Sequence, residues 1–326
     1  MTYIPPVTAF LTSVLVIIFI LHSKFGSAVQ DVPNNRSLHS KPVPRTGGIA
    51  LMAGILSSWM MLWPLLVWWI VVPTVLLFAV SFMDDLYSLS VKKRLLAHLV
   101  AATFLVIGAN FFGQQGFGVV IILVIAVVWI INLYNFMDGS DGLAGGMALF
   151  GFANYGIAAL LSQDVSFAMM NLAISAAALG FLFFNVSPAK IFMGDAGSIP
   201  LGFLVAAMGL WGWQRGDWSL LFPVLVFLPF IADATVTLVK RSLRGMKITE
   251  AHRDHYYQRA IQSGMSHRRV AYFEYALMAA IGMSAQIGSL QGMLQLFLFL
   301  WCVFCLAAMA WLEMKWRKGK SRVNNI

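Results

Sequence analysis

Residues Phe117 to Gly142 read FGVVIILVIAVVWIINLYNFMDGSDG. Positions 117–134 carry no charge, and the last eleven positions, 132–142, hold Asn132, Asn135, Asp138, Asp141, Gly139 and Gly142. An apolar run of this length matches the hydrocarbon thickness of a bilayer, which takes about 20 helical residues to cross. The polar cluster at its end must then meet water, headgroups or a ligand, because a bilayer interior satisfies no polar group. A membrane-crossing helix that delivers a tight polar turn to one membrane edge sets the pattern for the rest of the chain.

Comparable runs lie near 4–22, 47–63, 65–82, 95–112, 117–134, 143–161, 166–184, 198–213, 218–239, 270–290 and 291–312, which makes eleven. The chain has 326 residues, 60% hydrophobic and 11% charged, with a mean hydropathy of +0.80. Soluble domains carry about 25% charged residues, so this apolar content exceeds what one core can hide and lipid must solvate much of the surface. The expected fold is all-α: a polytopic integral membrane helical bundle of about 11 transmembrane helices, forming one domain over 1–326. The N-terminal run lacks a preceding basic region and a cleavage site, so it reads as the first span. Cys302 and Cys305 lie in a late apolar run with no polar company, which suits packing or lipid contact rather than a disulfide or metal.

Placing the N-terminus outside and alternating the spans puts every basic residue except Arg215 in inner loops or the C-terminal tail, out of 22 in all. The positive-inside rule then predicts a periplasmic N-terminus and a cytoplasmic C-terminus. A net charge of +9 in such a chain reflects topology and anionic headgroups rather than nucleic acid. The inner segments near 23–46, 83–94, 135–145, 186–198 and 240–269 carry nearly all the chemistry-bearing residues.

Four constellations stand out. Asp84-Asp85 end a span and precede Lys92, Lys93 and Arg94; adjacent carboxylates at a membrane edge need a cation, a metal or the basic cluster to offset their repulsion. Asn132 to Gly142 supplies hard oxygen ligands that suit Mg²⁺, which binds one or two protein groups plus substrate phosphates; it lacks the spacing and closing Glu of a calcium loop. Phe192-Met193-Gly194-Asp195-Ala196-Gly197-Ser198 opens a new span, with Ser198 placed to cap the helix and the helix N-terminus offering an anion site. The long inner loop from Arg244 to Arg269 contains His252-Arg253-Asp254-His255, a pattern for a diphosphate or sugar clamp, for a lipid-headgroup patch, or for zinc without its further ligands. Lys41 and Arg45, before Gly47-Gly48, suit a lipid phosphate or a loop anchor. Asp233 is an acid inside the membrane and either lines the cavity or pairs with Arg241.

In this order the motifs resemble the polyprenyl-phosphate N-acetylhexosamine-1-phosphate transferases, over roughly residues 30 to 270. The resemblance implies a bacterial inner-membrane enzyme with a cytoplasmic Mg²⁺ site, Mn²⁺ being able to substitute, and no nucleic-acid partner. It implies a UDP-N-acetylhexosamine donor, an undecaprenyl phosphate acceptor and a membrane-lipid environment, and leaves a homodimer open. Carried over by position, Asp84, Asp85 and Asp195 are the catalytic candidates, and Asn135 and Asp195 the metal ligands. Asp138 and Asp141 would shape the nucleotide pocket, and His252, Arg253 and His255 would meet the donor's diphosphate and sugar. Lys41, Arg45, Lys93 and Asn132 complete the substrate-binding set. The sequence His-Arg-Asp-His, where the muramyl-pentapeptide branch has three consecutive histidines, implies a simpler N-acetylhexosamine and a pathway such as O-antigen initiation. A transporter is the rival class, but transporters site their ligands near the bilayer midplane and often show repeats; here the acids cluster at one edge and no repeat is visible.

Overall fold

The structure is a computed structural model that describes residues 3–24, 29–31, 42–111, 113, 116–247 and 252–323. Lys41, one of the substrate-binding candidates, lies outside the described residues. The chain is helical almost throughout: α1 (Ile4–His22), α2 (Gly47–Met60), α3 (Trp68–Tyr87), α4 (Val91–Gly108), α5 (Phe117–Phe136), α6 (Leu143–Leu161), α7 (Val165–Asn185), α8 (Asp195–Arg215), α9 (Leu221–Val226), α10 (Leu228–Leu243), α11 (Tyr256–Gln262), α12 (His267–Gln291) and α13 (Leu294–Val323). Two short strands, β1 (Gln30–Asp31) and β2 (Val43–Pro44), pair antiparallel.

Among the described residues, eight helices are long and apolar enough to cross a membrane, against eleven runs read from hydropathy, and the three that fall short have physical reasons. Helix α2 is 14 residues long. Helix α4 spends its first turn on Lys92, Lys93 and Arg94. The run at 218–239 is broken between α9 and α10 at Phe227. Pro229 there lacks an amide proton, and its ring disfavours helical geometry in the residue before it. The chain is a polytopic helical membrane protein.

The bundle centres on α8, whose apolar window is 94% buried, with α6 and α7 at 72% each; α13 is at the lipid-facing extreme with 11%. Small residues let the central helices approach closely, as membrane packing favours: a side chain on Gly145 would meet Leu182 and Phe181 of α7. One end of α8 is fixed by aromatic packing and an ion pair. Trp211 meets Trp69 edge-on at 5.3 Å and Trp213 stacks on Phe111 at 5.8 Å, while Arg215 pairs with Asp164. The other end begins with Asp195, about 30 Å away at 1.5 Å per residue.

Candidate active site

The site is assembled around the first turn of α8. Residues 44–48 run alongside 192–194: the Phe192 amide donates to Pro44 O (2.7 Å), Gly47 to Phe192 O (2.9 Å) and Gly48 to Met193 O (2.8 Å). Gly48 lies so close to α8 that a Cβ on it would sit 2.6 Å from the Gly197 Cα. This contact carries Arg45 over the start of α8.

Asp85 occupies that start. Its Oδ1 accepts from the Asp195 amide at 3.1 Å and its Oδ2 from the Ala196 amide at 2.9 Å. Arg45 adds an ion pair to Asp85 at 2.9 Å, and the Asp85 side chain is only 2% exposed. The sequence reading gave the cap to Ser198 and left the helix N-terminus open for an anion. The structure corrects both: Ser198 Oγ donates to Gly194 O, and the amides of residues 195 and 196 are taken by Asp85, whose negative charge suits a helix N-terminus. Asp84 is held by the Leu89 amide at 2.5 Å and by Arg94 at 3.2 Å. Both arginines reach toward Asp195, Arg94 at 3.6 Å and Arg45 at 3.8 Å. Burial works against the Arg45 charge, but Asp85, Asp195, Asp31 and Asp138 outweigh it and raise its pKa.

The turn after α5 adds Asp138. Burial, then repulsion from Asp195, pushes its carboxyl well above the usual range; Arg45 opposes this and Asp85 adds to it. Asn135 lies half-buried in the last turn of α5, and its carbonyl accepts from the Asp138 amide at 3.1 Å. Asn185, at the end of α7, stitches this turn to the next loop: its Oδ1 accepts from the Gly142 amide and its Nδ2 donates to Ile191 O, each at 2.9 Å. Asp141 accepts from the Ala189 amide at 3.2 Å. Asn132 turns between α4 and α5, where it meets His98 at 3.2 Å and Val128 O at 2.7 Å. Lys93 is exposed, and Arg94 beside it is the residue that enters the cluster.

The last loop closes over the same turn. Tyr257 donates to Phe136 O at 3.1 Å, and His255 stacks with Phe136 at 6.3 Å and with His252 at 4.9 Å. Burial, then the neighbouring His255 and Arg241, pulls the His252 pKa down to about 4. Arg253 is half-buried, and its carbonyl accepts from Gln262 at 2.8 Å. Asp233 does not pair with Arg241, as one sequence reading had it. It accepts from the Tyr256 and Tyr257 amides at 2.9 and 3.0 Å, while Arg241 pairs with Asp254. Glu313 on α13 gathers Arg317, Arg259, Lys240 and Arg244 at 2.7, 2.9, 3.1 and 3.4 Å.

Four motifs far apart in sequence thus meet at one end of the bundle. The sequence reading did not select Arg94, Asn185, Asp233, Tyr257 or Glu313 as site residues. Arg94 was visible only as one of three adjacent cations, and Asp233 as an intramembrane acid; Asn185, Tyr257 and Glu313 left no distinguishing signal. Among the described residues no three Asp, Glu, His or Cys side chains form a ready-made metal nest. Mg²⁺ needs only one or two carboxylates beside water and phosphate oxygens. Asp195 and Asp138, hard oxygen donors that repel each other in a buried setting, fit that need.

The sequence profile of glycosyl transferase family 4 matches residues 67–212. The chain is 31% identical over 302 residues to the probable undecaprenyl-phosphate N-acetylglucosaminyl 1-phosphate transferase of Bacillus subtilis, covering 86% of this chain and 84% of the relative. It is 29% identical over 312 residues to the decaprenyl-phosphate N-acetylglucosaminephosphotransferase of Mycolicibacterium smegmatis, with coverages of 82% and 76%. It is also 29% identical over 254 residues to the phospho-N-acetylmuramoyl-pentapeptide-transferase of Listeria monocytogenes, with coverages of 69% and 76%. With the convergent acidic motifs, these relationships establish that the chain belongs to glycosyl transferase family 4, the polyprenyl-phosphate hexosamine-1-phosphate transferases.

Proposed function

We propose that the protein transfers N-acetylhexosamine 1-phosphate from a UDP-sugar to undecaprenyl phosphate at the cytoplasmic face of a bacterial inner membrane, releasing UMP. The observation that carries this reading is the joint at α8: Asp84, Asp85, Asp138 and Asp195 gathered around Arg45 and Arg94. Two polyanions must meet in this reaction, so charge neutralisation and alignment are most of the work.

An oxygen of the lipid phosphate forms a bond to the β-phosphorus of the donor. The bond from that phosphorus to the bridging oxygen breaks, and UMP leaves with the oxygen. A phosphate monoester has a second pKa near 6, so the nucleophile is mostly a dianion at neutral pH and needs little help from a base. Arg45 and Arg94 each spend one terminal nitrogen on carboxylates, which leaves guanidinium donors for phosphate oxygens. Asp84, held by Arg94 and the Leu89 amide, is placed to orient the acceptor or take a residual proton. His252, neutral at pH 7 with its pKa near 4, offers hydrogen bonds to the donor, and Arg253 offers charge. Mg²⁺, or Mn²⁺ in its place, held by Asp195 with Asp138 and with Asn135 from the same turn, would neutralise diphosphate charge.

The displacement is direct in this scheme; a phosphorylated enzyme trapped with donor alone would replace it with a two-step route. His252-Arg253-Asp254-His255 and the N-acetylglucosamine relatives support a simple N-acetylhexosamine donor. The product would start a lipid-linked surface glycan such as O-antigen. The test is UMP release by purified protein from a panel of UDP-N-acetylhexosamines with undecaprenyl phosphate and Mg²⁺. Wild type should release UMP only when lipid phosphate and metal are both present, and folded Asp195→Asn should release none. Silence with every donor, under conditions where a relative works, sinks the proposal in favour of transport of a lipid-linked or anionic solute.

A further inference from the structure

Asp233 lies on α10, ahead of the last loop and outside the four motifs, and is 5% exposed. Apart from Thr237 on its own helix, its polar neighbours belong to residues 255–257 of the last loop. Oδ1 accepts from the Tyr256 amide at 2.9 Å and from Thr237 Oγ1 at 3.1 Å, and Oδ2 accepts from the Tyr257 amide at 3.0 Å. His255 Nδ1 lies 3.3 Å from Oδ1. An ionised carboxylate offers about four acceptor positions, so this one is nearly saturated by groups of the loop and its own helix.

The consequences run outward from there. The two amides are the first of α11, where a carboxylate both satisfies orphan donors and complements the helix dipole. With that turn fixed, the His255 ring is held among Phe136 (6.3 Å), Tyr257 (5.9 Å) and His252 (4.9 Å). Tyr257 is at the same time tied to Phe136 O. One carboxylate therefore sets the height and rotation of the histidine pair over the turn that carries Asp138.

We propose that Asp233 is a positioning residue for the nucleotide-sugar side of the site, acting through the amides of Tyr256 and Tyr257 and through the His255 ring. It touches neither lipid phosphate nor metal in this scheme, so its loss falls on one substrate. The inference rests on the transferase reading for its kinetic arm and on geometry alone for its structural arm.

The test uses full-length protein in lipid nanodiscs. Steady-state constants for a UDP-N-acetylhexosamine and for undecaprenyl phosphate are compared in wild type, Asp233→Asn and Asp233→Ala. Hydrogen exchange of 253–262 is followed in the same samples. The expected result is a donor KM raised about tenfold in Asp233→Asn, the loss of one charge-assisted bond, with the lipid KM within about twofold. Exchange should quicken at 255–262 and not in α8. Should Asp233→Ala fail to fold, Asp233→Asn and Thr237→Val provide milder steps of the same series. An unchanged donor KM, or a loss confined to the fraction of active protein with both KM values intact, overturns the proposal. Should wild type release no UMP, the transferase reading fails by itself. Exchange then decides the positioning claim: quickening confined to 255–262 upholds it, and unchanged exchange overturns it.

Discussion

Asp85 and Asp138 are carboxylates in one cluster with different partners. Asp85 is satisfied by two amides and Arg45. Replacing it with Ala leaves the first two amides of α8 without their acceptor and removes the nearest partner of Arg45, which is one third exposed and keeps Asp195 at 3.8 Å; the cost is about 1–3 kcal/mol, and thermal melts of Asp85→Ala should show that loss. Asp138 is pushed up by burial and by Asp195, so the folded state holds its proton more tightly than the unfolded chain. Its contribution is present at low pH and is lost as pH rises toward the raised pKa. Asp138→Asn should therefore raise the melting midpoint of metal-free protein at pH 8, by about 2–4 °C for each kcal/mol recovered, while UMP release falls. A lower midpoint would show that the carboxylate is stabilised there. His252 works in the other direction. Its folded pKa near 4 lies below the ordinary 6.5, so stability is full above 6.5 and drains as pH falls toward 4. Because the ring is half exposed the effect is discounted for solvent, to about 1 kcal/mol. His252→Gln should flatten the melting midpoint between pH 6.5 and 4.5. At this scale the sequence offered residue types and not partners. Asp84-Asp85 was readable as a pair in need of cations, but that Arg94 rather than Lys93 answers depends on which face of α4 turns inward.

The helix joints carry the site's precision. Gly48 and Gly197 bring the backbones of α2 and α8 into contact, and a methyl on Gly48 would press on the Gly197 Cα at 2.6 Å. No side chain can yield there, so Gly48→Ala should cost about 1–3 kcal/mol. It should also lower UMP release by shifting Arg45 relative to Asp195, and a variant with wild-type stability and turnover would show that the joint is loose. The sequence marked Gly47-Gly48 beside a basic loop without saying what approached them. At the far side, α13 is the least buried span among the described residues, yet its C-terminal part is held by one carboxylate facing four cations and the Tyr256 hydroxyl. Glu313→Gln should leave Arg259 poorly paired and speed hydrogen exchange in α11, with little change in α6 or α7. Exchange unchanged in α11 would mean that Asp233 alone holds it. Hydropathy located these helices well where they were long and uniform. It overran at 218–239, because a sum of apolar residues does not register the break that Pro229 imposes.

Across the whole molecule, charge sorts to the two ends of the bundle. Arg45, Arg94 and the last loop gather at the end where α8 begins, while Arg215 pairs with Asp164 at the other. In a background with Cys302 and Cys305 replaced by Ala, Gln163→Cys should react with an impermeant maleimide in intact cells, and Lys92→Cys only after permeabilisation. The reverse pattern would invert the orientation and move the site outside. What the sequence determined by itself was the class of solvent and the four polar motifs that meet at one end of the bundle. Each of these is the transfer free energy of a segment or a charge, a quantity that adds along the chain and needs no neighbour. What the tertiary structure decided was every partnership: Asp85 rather than Ser198 on the α8 amides, Arg94 rather than Lys93 on Asp84, and Asp233 with the histidine loop rather than with Arg241. A pairing depends on the rotation and crossing of two helices distant in sequence, and that is fixed by close approach at small residues and by saturation of carboxylates, terms that exist only once the chain has folded.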